Sequence, residues 1–267
     1  MINVYLAVRC RIAFSHEESD HCARSNLSRF SSLTDTVFAT ILQFPGSIGF
    51  MNEAVSRPHV ERLSIAGPSG NLEGMLETPV DADSSHVAVI CHPHPVYGGT
   101  MTNKVVHMLA KAFNELGVPA IRFNYRGVGA SAGVYDEGRG ETLDTLAVVH
   151  WAQARWPQAR IWLGGFSFGG AVALRTAAQI QPARLVTVAP AIQRVDVTRV
   201  QLPQCPWLVV QGDADELVNA QEVQAWAQSL TPPPDFVLLS GVDHFFHGRL
   251  NELRDAVVRW IGGTREA

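Results

Sequence analysis

Apolar and polar positions change their spacing at regular intervals between residues 60 and 261. Short runs with alternating or unbroken apolar positions predict strands, and longer segments with apolar residues three and four apart predict helices. Strands are predicted over Val60–Ala66, Leu72–Glu77, Val87–Cys91, Ala120–Asn124, Arg160–Gly164, Leu185–Ala189, Trp207–Gln211 and Phe236–Leu239. Helices are predicted over Asn103–Leu116, Glu141–Trp156, Phe168–Gln179, Gln221–Leu230 and Gly248–Ile261.

The order of these segments indicates the class of fold. The first two strands follow each other across a hairpin-like turn at residues 67–71, and most later strands are followed by a helix. Val87–Cys91 is apolar throughout, as in a strand that is covered on both faces of a sheet. This order predicts an α/β fold with a mostly parallel eight-stranded sheet and helices on both faces, in one domain over residues 55–267.

The first fifty residues lack this pattern. Residues 15–36 are rich in Ser, Asp, Glu and Arg and show little periodicity, which is typical of loops or disorder. Residues 1–14 are apolar but interrupted by two arginines, and they lack the order of a secretory signal. We expect residues 1–54 to be an N-terminal extension that is disordered or precedes the true start, for which Met51 is the candidate.

Composition excludes several classes of partner. The chain has 267 residues, 46% of them hydrophobic, and 21 Lys and Arg against 25 Asp and Glu give a formal net charge of −4. We therefore expect no nucleic-acid partner, since a broad basic surface is missing. No apolar run approaches 18 residues, so we expect no membrane segment and a cytoplasmic protein. The four cysteines form no closely spaced pair, which argues against a disulfide scaffold or a cysteine zinc site.

The clearest chemical signature is Gly165-Phe166-Ser167-Phe168-Gly169, between a predicted strand and a predicted helix. A serine at such a sharp turn projects its hydroxyl above the sheet, and glycines two residues away on either side leave room for the neighbouring strand and helix. The Phe168 N–H begins the helix, where it can donate to an oxyanion. This context predicts that Ser167 is a nucleophile, the alternative being a glycine-rich turn that only packs the helix on the sheet.

Further motifs accompany this turn. They are His92-Pro93-His94-Pro95 with Gly98-Gly99, Asn124–Gly129 with Ser131, Gly212–Asp215 with Val218, and Gly241–Phe246. With these motifs the chain resembles the α/β-hydrolase family over about residues 60–262. It looks most similar to small bacterial serine hydrolases that lack a cap and carry a His-Pro-His-Pro…Gly-Gly loop after the third strand.

A serine hydroxyl needs a base, and the base needs a carboxylate that orients it. In the family that the chain resembles, the order is serine, acid, histidine. Asp213 and Asp215 both follow a predicted strand and compete for the role of the acid, and the family pattern favours Asp215. His244 follows the last strand after a short turn at Gly241, whereas His247 lies a helical turn further on, so we expect His244 to be the base.

The loop after Val87–Cys91 is expected to supply a second oxyanion donor. The resemblance assigns this role to the backbone N–H of His94, since the prolines on either side of it have none. His92 and His94 could alternatively suggest a metal site. We disfavour it because no third ligand is evident, and we expect no metal and no cofactor.

The connection between the sixth and seventh strands sets the shape of the site. Pro190–Gln204 has fifteen residues, which leaves no room for a sizeable cap. We therefore expect an open site that accepts a small-molecule ester, with an apolar acyl pocket whose candidate wall residues are Tyr97, Val96, Phe166 and Phe168.

These observations predict a serine hydrolase that cleaves carboxylic esters of small or short-acyl substrates through an acyl-enzyme. A thioesterase or a peptidase would use the same three residues, so both remain alternatives. A non-catalytic binding protein on this fold is a remote alternative, since such a protein would be expected to have lost one of the three.

Overall fold

The structure is a computed structural model that describes residues 57–194, 197 and 201–264. The extension predicted over residues 1–54 lies outside the described residues. None of the described helices is both long enough and apolar enough to cross a membrane.

In the part of the chain that the structure describes, eight strands form one sheet. They are β1 (His59–Gly67), β2 (Gly70–Thr78), β3 (His86–Cys91), β4 (Ala120–Phe123), β5 (Arg160–Phe166), β6 (Arg184–Val188), β7 (Trp207–Gly212) and β8 (Asp235–Leu239). Their order across the sheet is β1-β2-β4-β3-β5-β6-β7-β8. β2 is antiparallel to both of its neighbours, β1 and β4, and the other pairs are parallel.

Among the described residues, five α-helices cover the sheet. They are α1 (Lys104–Glu115), α2 (Arg139–Arg155), α3 (Phe168–Ile180), α4 (Ala220–Ser229) and α5 (Leu250–Gly263). The apolar residues of α1 and α5 belong to one hydrophobic core, and those of α2, α3 and α4 belong to a second. Because side chains alternate along a strand, β3 contributes Val87, Val89 and Cys91 to one core and Ala88 and Ile90 to the other. The two cores therefore lie on opposite faces of the sheet.

The predicted α/β-hydrolase fold is confirmed, and every predicted strand and helix lies within two residues of its observed bounds. One difference has a side-chain cause. α2 begins at Arg139, two residues before its predicted start at Glu141. The buried Glu141 carboxylate accepts hydrogen bonds from the N–H groups of Asp136 and Gly138, at 2.9 and 2.7 Å, and so binds the preceding turn to the helix.

The connection between β6 and β7 carries no cap in the part that the structure describes. Its described residues form neither a helix nor a strand. All the parallel strands end at the same edge of the sheet, and the loops that follow β3, β5, β7 and β8 carry the predicted site residues.

Candidate active site

Ser167 occupies the turn between β5 and α3 in a conformation that few non-glycine residues adopt, with φ 55° and ψ −119°. Its N–H donates to the carbonyl of Val188 at 2.8 Å, which ties the turn to the neighbouring strand β6. Hydrogen bonding and packing on both sides hold this strained backbone in place. The result is a rigidly placed hydroxyl at the N-terminus of a helix.

The two flanking glycines are required by close approach of the backbone. A Cβ at Gly165 would lie 2.2 Å from the carbonyl oxygen of Gly169. A Cβ at Gly169 would lie 2.4 Å from the carbonyl oxygen of Cys91, at the end of β3. Neither contact is sterically possible, so a side chain at either position would displace the serine turn.

Three side chains from separate loops form a continuous chain of hydrogen bonds. His244 Nε2 lies 3.1 Å from Ser167 Oγ, and His244 Nδ1 lies 2.8 Å from Asp215 Oδ2. Ser167 and His244 are only 8% and 3% exposed. With the Nδ1–H donated to the carboxylate, Nε2 is the ring nitrogen that can accept the serine proton.

The Asp215 carboxylate is held by four donors. Its Oδ1 accepts from the N–H groups of Leu217 and Val218 at 2.9 and 2.8 Å, and its Oδ2 accepts from Gln211 Nε2 at 2.9 Å as well as from His244. Burial by itself would raise the pKa of Asp215, but the hydrogen bonds from His244 and from the two backbone amides outweigh it and lower the pKa. The carboxylate is therefore ionised at neutral pH.

The competing acid and base have other partners. Asp213 Oδ1 accepts from the N–H of Gly241 at 2.6 Å and joins two loops. His247 is exposed, and its Nδ1 bonds Asp243 Oδ2 at 2.8 Å. The structure thus brings Asp215 and His244 to Ser167, and it does not bring Asp213 or His247 there.

The loop after β3 is tightly folded and leaves the His94 N–H without an acceptor among the described residues. Gly99 N and Tyr97 N both donate to the His94 carbonyl, at 3.0 and 3.2 Å, and a Cβ at Gly99 would lie 2.1 Å from the Pro93 carbonyl oxygen. Among the described residues, no protein acceptor is found for the N–H groups of His94 or Phe168. Both residues line the same cavity as Ser167.

The His94 ring anchors this loop. Its Nδ1 accepts from the Val96 N–H at 3.3 Å, so its Nε2 carries the proton and faces Tyr135 Oη at 3.2 Å. The rings of Tyr97, Phe168 and Tyr135 surround it, with centroids 4.8, 4.8 and 5.1 Å away. Burial, and secondarily the charge of Arg194, lowers the pKa of His94, so the ring is neutral.

His92 has a structural environment and is completely buried. Its Nδ1 lies 2.7 Å from the Pro93 carbonyl oxygen, and its Nε2 accepts from the Tyr125 N–H at 3.1 Å. Burial lowers the pKa of His92 to about 3. Both ring nitrogens are therefore used within the protein, and the described residues contain no cluster of three side chains suited to a metal ion.

A cavity of about 490 Å³ opens above the serine. Tyr97 lines it, together with Phe168, Phe245, Leu217 and Arg194. Three of these wall residues, Phe245, Leu217 and Arg194, are absent from the wall predicted from the sequence. Phe245 adjoins His244 in the sequence and could have been found from that position, whereas nothing local indicates Arg194.

Two residues predicted to line the acyl pocket do not line this cavity. Phe166 has no exposed surface, because it belongs to the core beneath the site, where its ring packs on His244 with centroids 4.9 Å apart. Val96 lies in a 3₁₀ turn (Pro95–Tyr97), is 63% exposed and is not among the cavity wall residues. Of the four candidate wall residues, the structure places Tyr97 and Phe168 at the cavity and Val96 and Phe166 away from it.

The chain is similar in sequence to a known family and to a protein of another organism. Residues 72–202, just under half of the chain, match the sequence model of the X-Pro dipeptidyl-peptidase family (S15). An uncharacterised protein of Rickettsia prowazekii is 32% identical over 201 residues, which cover 72% of this chain and 84% of that protein.

Two solved structures are similar over almost their whole length. An α/β serine hydrolase homologue from Coxiella burnetii is 47% identical, with a TM-score of 0.73, and the match covers 75% of this chain and 97% of that one. A protein from Xanthomonas campestris, described as an α/β serine hydrolase without a lid, is 43% identical, also with a TM-score of 0.73. That match covers 78% of this chain and 97% of the other.

Proposed function

Because the chain belongs to the α/β serine hydrolase family, we propose that it hydrolyses carboxylic esters through an acyl-enzyme formed on Ser167. The observation that carries this proposal is the chain of hydrogen bonds from Ser167 Oγ through His244 to Asp215. A hydroxyl, an imidazole and an ionised carboxylate in this arrangement are the elements of nucleophilic acyl transfer.

In the first half of the reaction, Ser167 Oγ bonds to the ester carbonyl carbon while His244 Nε2 takes the hydroxyl proton. Asp215 keeps the ring in the required tautomer and stabilises the imidazolium. The negative charge that develops on the carbonyl oxygen receives hydrogen bonds from the N–H groups of His94 and Phe168. When the carbonyl forms again, the alcohol leaves with the proton from His244 and the acyl group stays on Ser167.

In the second half, a water molecule replaces the alcohol. His244 takes one of its protons while its oxygen bonds to the acyl carbon, and the same two N–H groups stabilise the oxyanion. Ser167 Oγ then leaves with the proton from His244. The products are the free acid and the starting enzyme, so no cofactor is consumed.

The walls of the cavity support a small substrate. A volume of about 490 Å³ suits a ligand of modest size, and Phe168, Leu217 and Phe245 offer apolar surface to an acyl chain. No helix or strand in the described part of the β6–β7 connection covers the site. An acyl tail of lipid length would therefore leave much of its apolar surface in water, which favours short acyl groups.

A peptidase activity is the second candidate, and the match of residues 72–202 to the X-Pro dipeptidyl-peptidase family favours it. Such a substrate carries a cationic N-terminal amine, which a carboxylate would be expected to receive. None of the described residues that line the cavity is an aspartate or a glutamate. The composition of the wall therefore supports the ester over the X-Pro peptide.

The test combines labelling of the serine with turnover. A fluorophosphonate probe phosphonylates an activated serine with loss of fluoride, and we expect it to label the wild type and to leave Ser167→Ala unlabelled. p-Nitrophenyl acetate, butyrate and octanoate, the matched butyryl thioester, and an X-Pro p-nitroanilide then compare substrate classes. We expect the highest kcat/KM among the short esters.

Ser229→Ala is the matched control, since Ser229 is exposed on α4 and its hydroxyl donates only to the Trp226 carbonyl. It should keep the labelling and the turnover of the wild type. Full esterase activity in Ser167→Ala would refute the proposed function, and a higher kcat/KM for the p-nitroanilide than for every ester would replace it with the peptidase.

A further inference from the structure

Arg194 brings a positive charge to the wall of the cavity that contains Ser167 and His244. The residue is exposed, and its guanidinium carbon lies 5.6 Å from the centroid of the Tyr97 ring, a second wall residue. Such stacking restrains the long side chain while its N–H donors stay available. Arg194 is thus held at the cavity by a contact that does not neutralise its charge.

Arg194 forms no ion pair with any carboxylate in residues 57–194, 197 and 201–264. The Glu222 carboxylate accepts from the side-chain amide of Gln193, the residue before Arg194. The Glu216 carboxylate accepts from the His244 N–H at 3.3 Å. The described cavity wall carries no carboxylate of its own, so no described wall residue supplies a negative charge to Arg194 in this cavity.

The charge of Arg194 acts on the loop after β3, which carries His94, the proposed oxyanion donor. After burial, it is the second cause of the lowered pKa of His94. The Tyr97 ring contacts both Arg194 and the His94 ring, whose centroid is 4.8 Å from that of Tyr97, and all three residues line the cavity. An anion bound at Arg194 would therefore lie in the same cavity as Ser167.

We propose that Arg194 selects esters that carry an anionic group, a carboxylate or a phosphate, close to the scissile bond. This inference rests on the proposed esterase function and names its substrate class. A guanidinium presents its N–H donors as a planar fork that fits two oxygens of a carboxylate or a phosphate.

The test compares anionic and neutral esters of matched size. Mono-p-nitrophenyl adipate and p-nitrophenyl hexanoate place the charge on the acyl side. 4-Acetoxybenzoate and its methyl ester place it on the alcohol side, and 4-acetoxyphenyl phosphate replaces the carboxylate with a phosphate. The quantity measured is the ratio of kcat/KM for the anionic ester to kcat/KM for its neutral partner.

In Arg194→Gln we expect this ratio to fall about tenfold for at least one pair, as for the loss of a charged hydrogen-bond partner. Arg194→Lys keeps the charge and should retain most of the selectivity, and Arg194→Glu should favour the neutral ester. Rising salt should lower the wild-type ratio and leave the Arg194→Gln ratio unchanged. Arg259→Gln removes an exposed arginine of α5 outside the cavity and controls for net charge.

A ratio that is the same in Arg194→Gln and in the wild type for every pair overturns the inference. An equal fall in kcat/KM for both members of each pair also overturns it, since that outcome indicates a structural role. Ser167→Ala separates the two proposals: if it keeps ester hydrolysis, the proposed function itself fails. If Ser167 is required and Arg194 has no effect on the ratio, only the substrate class is wrong.

Discussion

Two buried histidines follow strands of the same sheet in different surroundings. His92 belongs to what we call the loop core, formed by His92, Tyr125, Arg126 and Asp144, in which both histidine nitrogens are bonded to main-chain groups. His244 belongs to the serine site, formed by Ser167, Asp215 and His244, in which one nitrogen faces a carboxylate and the other faces a hydroxyl.

The loop core also contains a buried ion pair. The Arg126 guanidinium donates to both oxygens of Asp144, at 3.0 and 2.8 Å, and the Arg126 N–H donates to the same carboxylate at 2.9 Å. Both residues of this pair are buried, so neither charge faces a cavity or the solvent. The comparison teaches that burial and charge do not by themselves make a reactive site, because reactivity needs a polar atom that faces a cavity and a partner that can stabilise a moved proton.

The largest effect is expected for the carboxylate of the serine site. Asp215→Asn should lower kcat by roughly 10⁴-fold, because an amide cannot hold the imidazole in the tautomer that accepts the serine proton. Steady-state ester hydrolysis and a urea titration measure the change, with the unfolding midpoint expected near that of the wild type. Asp213→Asn, which keeps the oxygen that accepts from Gly241, is the control and should stay within a few-fold of the wild type. A larger loss of kcat in Asp213→Asn than in Asp215→Asn would show that Asp213, and not Asp215, is the acid.

In the loop core, an aspartate-to-asparagine substitution should lower the stability of the protein, in contrast to the loss of kcat expected at the serine site. Asp144→Asn leaves the Arg126 charge buried without its counterion, and the free energy of unfolding should fall by about 3–5 kcal/mol. Urea unfolding followed by tryptophan fluorescence measures it. Asp136→Asn, at an exposed ion pair with Arg139, should change stability by less than about 1 kcal/mol. Equal small losses in both variants would contradict the distinction between the two ion pairs.

The smallest effect concerns the pH dependence of stability. The pKa of His92 is about 3 in the folded protein, below the ordinary value of about 6.5 for histidine in an unfolded chain. Between these values the unfolded state binds the extra proton, so acidification from about pH 6.5 toward 3 removes stability, by up to about 1.4 kcal/mol per pH unit. His92→Asn should abolish this contribution, so the wild-type advantage in unfolding free energy should shrink by about 1–2 kcal/mol between pH 7 and pH 5.

Urea titrations at pH 7, 6 and 5 check this expectation. His107→Asn, which removes an exposed histidine of α1, controls for the substitution itself. An advantage of the wild type over His92→Asn that stays constant with pH would show that the buried ring does not contribute in this way.

Local pattern sufficed for the fold and for the serine turn. A strand that is buried on both faces is apolar throughout, and a helix on a sheet repeats its apolar positions every three or four residues, so both can be found from neighbouring residues. The glycines on either side of Ser167 could be predicted for the same reason, because the contacts that exclude a Cβ arise from the turn itself and from adjacent strands.

The pocket prediction failed for Phe166 because alternation along β5 places its side chain in the core, and the sequence motif does not state which face of the strand borders the cavity. Arg194 could not be found, since it lies in an irregular connection and reaches the cavity only through the path of that segment. The approach of the Tyr135 hydroxyl to the His94 ring likewise joins two loops 41 positions apart.

Residues that are close along the chain suffice to predict the order of strands and helices, the serine turn and the short list of acids and bases. Contacts between distant loops select the aspartate and the histidine that meet Ser167, and they separate the rings that line the cavity from the ring beneath it. They also place Arg194 at the site without a counterion among the described residues. These features depend on distances between loops that follow different strands, and only the packing of the whole sheet sets those distances.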